Sequence, residues 1–133
     1  MRVMVIGGVA FQDTVWLHTG LDLLHSKAAI TEIIEGGQPG AAVRAYEWAQ
    51  KRGVPCTTVP IEWERHSRGL KHGQQNPALS IRDTRMAQMK PDVVLVCPGT
   101  HIETIKVLAA HGLRPVKLDK MPVYPSTENP LAA

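Results

Sequence analysis

Three times along this chain a short apolar run ends on glycine and gives way to a helical rhythm. "RVMVIGG" (2–8) leads into residues 13–28, where Leu17, Leu21, Leu24 and Ala28 recur every three or four positions behind Asp13, a capping residue. "ITEIIEGG" (30–37) passes through Gln38-Pro39 to Gly40 and then into residues 40–52. There Ala42, Ala45, Tyr46 and Ala49 share a face, and Gly53 ends the run. "PDVVLVCPG" (91–99) leads into residues 101–111, ended by Gly112. Strands that are apolar without interruption are buried on both faces, and helical crossovers between them run right-handed. This repeated strand, glycine and helix order therefore calls for a parallel sheet covered by helices on each side.

Two further strand-like segments, "PCTTVPI" (55–61) and "RPVKL" (114–118), and a helical stretch over 78–89 complete the set. The expected fold class is α/β, a three-layer α/β/α domain with a mostly parallel five-stranded sheet. Its strands fall near 2–6, 32–35, 56–59, 92–96 and 115–118. Residues 1–118 form this one domain, as suits a chain of 133 residues. Residues 119–133, "DKMPVYPSTENPLAA", carry three prolines and little periodicity and are expected to form a tail. The polar, glycine-rich segment 66–77 is expected to form a long loop.

Several function classes are disfavoured. No apolar run approaches the roughly 20 residues a membrane crossing needs, and the N-terminus lacks a signal-peptide pattern, so no membrane partner is expected. The two cysteines, Cys56 and Cys97, sit in strand-like segments and read as reduced core residues of a cytoplasmic protein. The six histidines show no metal-ligand spacing, so neither a metal nor a cofactor is expected. A net charge of +3, aromatic content of 5% and no basic cluster on one helix argue against sequence-specific nucleic-acid binding. The mild positive charge still permits an anionic small molecule.

In an open parallel sheet, ligands bind beyond the C-terminal strand ends. Three glycine loops leave such ends here: Gly7-Gly8, Gly36-Gly37-Gln38-Pro39-Gly40, and Pro98-Gly99-Thr100. Free N–H groups at the helix starts that follow would favour a phosphate. Arg82 falls in phase with the apolar stripe of its helix, Leu79, Met86 and Met89, so it needs either an internal carboxylate or a bound anion. The expected ligand-binding set is Gly7, Gly8, Gly36, Gly37, Gly40, Arg82, Gly99 and Thr100. Trp63 is either a stacking platform for a base or a packing aromatic. Glu35 and Glu103 are the carboxylates available as general acid or base.

The ordered pieces Gly7-Gly8, Gly36-Gly37…Gly40-Ala41, "EWAQKRGVP" (47–55), "WERHSRG" (63–69), "RDTRM" (82–86) and "PDVVLVCPGT" (91–100) carry a resemblance. Together they resemble the small Rossmann-like domains of the YspA/YpsA-related group of the SLOG superfamily, over residues 2 to about 118. The resemblance implies a nucleotide or nucleotide-derived ligand, sensed or sequestered, and a homo-oligomer. The apolar Trp16 and Val107 are the candidates for the subunit contact. Members occur in bacteria and phages, and a phage-encoded member would sequester a host signal. The chain departs from the family pattern at Val9, at Gln38-Pro39, at Asp83 and in the shortened Pro98-Gly99-Thr100. Two other readings therefore stand beside binding: a hydrolase that cleaves nucleoside monophosphates through Glu103 or Glu35, and an interaction protein that has lost the ligand site.

Overall fold

A computed structural model describes residues 1–113 and 115–117. Strands and helices alternate throughout: β1 (Arg2–Ile6), α1 (Thr14–Lys27), β2 (Glu32–Glu35), α2 (Ala41–Arg52), β3 (Cys56–Thr58), α3 (Ala78–Gln88), β4 (Val93–Val96), α4 (Ile102–Ala110) and β5 (Val116–Lys117). The sheet order is β3-β2-β1-β4-β5, and every neighbouring pair is parallel. The proline-rich segment 119–133 lies outside the described residues.

The two-residue period of a strand explains the layering. Val3 and Val5 face one way and pack with Phe11, Leu17, Leu21, Ile33, Ala45 and Trp48, a core closed by α1 and α2. Met4 and Ile6 face the other way and pack with Ile34, Met86, Val94, Val96 and Leu108, a core closed by α3 and α4. The result is the α/β/α sandwich that the uninterrupted apolar strands require.

Local chemistry fixes the element ends. The Asp13 carboxylate accepts the Trp16 N–H at 3.1 Å and starts α1. Gly53 takes a left-handed conformation, φ 67°, and ends α2. Between α1 and α2, the Trp48 indole N–H donates to Asp22 at 2.9 Å, and Arg52 grips the same carboxylate. Burial pushes Asp22 up, but the hydrogen bonds from Arg52 and Trp48 outweigh it and leave its pKa below the usual value. At the N-terminal end of the sheet, the Asp92 carboxylate accepts the Arg2 backbone N–H at 2.7 Å, which positions the entry to β4.

The chain goes outward from β1 through β2 to β3, then returns to β4 on the other side of β1. The order thus reverses between β1 and β4, and their C-terminal ends lie side by side. A crevice at such a reversal is where open α/β sheets place ligands.

Candidate functional site

The three glycine loops meet at that reversal because glycine lets backbone touch backbone. A Cβ on Gly8 would stand 2.8 Å from the Gly99 Cα, and one on Gly40 would collide with the Gly8 and Val9 carbonyls. A Cβ on Gly7 would stand 2.7 Å from the Cys97 Cβ. Gly40 and Gly99 also have φ of 90° and 86°, where side chains are strained. The Gly8 N–H donates to the Pro98 carbonyl at 3.0 Å and links the first and third loops directly.

A cavity of about 400 Å³ opens above this junction. Gly7, Gly8, Gly36, Arg82, Gly99 and Thr100 line it, and so does Ala42 in the first turn of α2. Gly37 and Gly40 do not line it; Gly40 supports Gly8 from beneath, and Gly37 packs towards Thr58. α2 starts from Gly40 with no side-chain cap, which leaves its first-turn N–H groups free of side-chain acceptors at the edge of the cavity.

Arg82 is 6% exposed and reaches the cavity from α3. Its Nε donates to Asp83 Oδ1 at 2.8 Å, and Asp83 is itself only 1% exposed. The other Asp83 oxygen accepts the Thr104 hydroxyl at 2.7 Å, which ties α3 to α4. Arg82 Nη2 reaches Gln38 Oε1 at a long 3.5 Å. The guanidinium packs against Gly36, where a side chain would occupy the space of Nη1. Arg82 therefore meets both requirements of a buried cation: an internal carboxylate holds one edge, and the other edge faces the cavity.

The two carboxylates considered for catalysis lie elsewhere. Glu35 is buried beneath the second loop, where it accepts the Gly37 N–H at 2.6 Å, the Thr58 hydroxyl, and the Cys56 thiol at 3.8 Å. It is an internal acceptor that shapes the loop. Glu103 sits on the surface of α4 and pairs with Lys106 at 3.4 Å. Neither lines the cavity. Burial pushes the Cys97 thiol up to about 12, and burial with the neighbouring Glu35 does the same to Cys56, so both remain protonated at neutral pH.

The walls come from residues the sequence signalled weakly. Trp63, 48% exposed, stands at the cavity with Gln75 and Asn76 from the same long loop. Asn76 anchors that wall: its amide donates to the Trp63 carbonyl at 3.0 Å, and its Oδ1 accepts the Ala78 N–H at 2.9 Å at the start of α3. An asparagine just ahead of a helix is a capping signal, so Asn76, like Trp63, left a trace of this wall in the sequence. His101 completes the rim and caps α4, its Nδ1 accepting the Glu103 N–H at 3.1 Å. That role is open only to the neutral ring with its proton on Nε2. The pairing of Asp83 with Thr104 across two helices left no trace in the sequence. Among the described residues no cluster of three or more potential metal ligands occurs.

The model of the YspA, cpYpsA-related SLOG family matches residues 1–66, the part that carries the first two glycine loops. Over those residues the chain is similar to this SLOG family. Arg82, Gly99 and Thr100 lie beyond the matched segment. Among solved structures, the X-ray structure of DNA processing protein A (DprA) from Streptococcus pneumoniae matches this chain with a TM-score of 0.58 and 13% identity. The match covers 87% of this chain and 49% of that one, so the chain spans about half the length of that protein. At this identity the likeness shows the Rossmann-like fold alone. No curated protein sequence matches it.

Proposed function

We propose that the protein binds a nucleotide or nucleotide-derived ligand at the C-terminal edge of its sheet, as a sensor or a sequestering protein. The observation that carries this reading is the meeting of three glycine loops and the Arg82 guanidinium in one cavity at the strand-order reversal. Backbone N–H groups of the α2 first turn and the guanidinium edge would hold a phosphate. Trp63 would offer a face to a base, and Gln75 and Asn76 amides would read its edge. The binding reading is favoured over hydrolysis because among the described residues no carboxylate lines the cavity. A phage- or mobile-element-encoded copy would serve by sequestering a host signalling nucleotide in the cytoplasm.

The same reading includes a homo-oligomer, with a change in its contacts. Trp16 is partly buried against the core and Val107 on α4 is half-buried, so the more exposed Val15 and Ile102 join them as apolar side chains offered to a second copy.

A thermal-shift screen of nucleotides tests the reading. A true ligand at 100 times its Kd raises stability by about 2.7 kcal/mol. A melting temperature that no nucleotide shifts at millimolar concentration would count against it.

A further inference from the structure

We propose that the cavity selects a nucleotide bearing a single phosphate group and rejects di- and triphosphates. This rests on the nucleotide reading above and specifies it by charge.

Among the described residues, Arg82 is the one charged side chain that lines the cavity. Its charge is already matched by Asp83, bound at 2.8 Å and almost wholly buried, so the pair as a whole is neutral. What remains for an anion is the guanidinium edge beyond Nε and the dipole of α2, equivalent to roughly half a charge at a helix start. This complement suits one phosphate. A triphosphate would bring about two further charges into the site, and buried charge without a partner is strongly unfavourable.

Polyphosphates are usually bound with a divalent cation that is held by one or two carboxylates. Among the described residues no carboxylate lines this cavity. The nearby cations do not fill the gap. Arg65 and Arg85 both turn to Glu62, at 3.0 and 3.1 Å, and neither lines the cavity. Arg68 and Lys71 do not line it either. The size agrees with the charge: about 400 Å³ stands near the low end of small-molecule sites, which run from roughly 300 to 1,000 Å³.

Isothermal titration of the full chain with adenosine and guanosine 5′-mono-, di- and triphosphates, each with and without Mg²⁺, tests this. The expected result is that a monophosphate of one base binds at least tenfold tighter than its own triphosphate, with or without Mg²⁺. A triphosphate that binds as tightly as its monophosphate overturns the selectivity and leaves the nucleotide reading standing. Failure of all six to bind at millimolar concentration overturns both. Gln38→Lys adds a second cation beside Arg82 on an external loop and is expected to narrow the monophosphate preference at least fivefold. An unchanged ratio in that variant, with binding retained, also overturns the proposal, because charge would then not be the selector.

Discussion

A methyl group on Gly36 would land on the far end of the Arg82 side chain, whereas a methyl group on Gly8 would land on the Gly99 backbone. The two substitutions therefore separate binding from folding. Gly36→Ala is expected to keep stability within about 1 kcal/mol of the parent, because a side-chain tip can move aside, yet to displace the guanidinium and weaken ligand binding at least tenfold. Gly8→Ala is expected to lower stability by about 1–3 kcal/mol, as overpacking does, and to disrupt the loops as well. Denaturant melts and calorimetry on both variants check this; equal stability losses would contradict it. Arg82 makes a second residue-scale prediction. Arg82→Ala leaves the buried Asp83 with Thr104 as its hydrogen-bond donor and should cost about 3–5 kcal/mol. The double variant Arg82→Ala/Asp83→Ala should recover part of that loss, and a double-mutant cycle measures the coupling.

At the scale of elements, β2 carries a carboxylate at each end with different work. Glu32 at its start is held below its ordinary value of 4.5 by the Thr57 hydroxyl and then by Arg2. Asp22 on α1 is likewise held below 3.8 by Arg52 and Trp48, against its burial. Both folded values lie below the unfolded ones. Their stabilising contribution is therefore fully present above about pH 4.5 and is lost as the pH falls through the folded values. The melting temperature should fall on acidification from pH 5 to pH 3, and Arg2→Ala and Arg52→Ala should flatten that fall; a flat parent profile would contradict the assignment. The elements themselves were legible in the sequence. Uninterrupted apolar strands, Asp13 and Gly53 mark their ends by local chemistry, and local chemistry sets them in the structure too. The role of Glu35 was not legible in this way, because at a strand end beside Gly36-Gly37 it reads as a carboxylate available for catalysis. Its three donors come from Gly37 and from β3, a strand 21 residues on whose pairing no local pattern reveals. The Asp83–Thr104 bond is hidden for the same reason. Glycines, in contrast, mark the floor of the cavity because close backbone approach permits little else.

For the whole molecule, the sheet order places the cavity at the seam between the β1–β3 half and the β4–β5 half, with residues of α2 and α3 among its lining. Val15 and Ile102 remain exposed on α1 and α4, and Val116 on the edge strand β5. Association through such side chains should give a species larger than 14.6 kDa by light scattering at micromolar concentration. A monodisperse 14.6 kDa particle would remove the oligomer from the proposal.

The contact of Gly8 with Gly99 has a consequence for how such a protein can change. Where the glycine loops meet, the cavity is lined by main chain, so there is no side chain to exchange there, and substitutions that add one disturb the fold. The walls, at Gln38, Trp63, Gln75 and His101, are side chains on loops or a helix cap. New ligand preferences can therefore arise there while the floor stays constant. A library randomised at these four positions should yield folded variants that differ in what they bind, and one randomised at the glycines should yield few folded proteins at all.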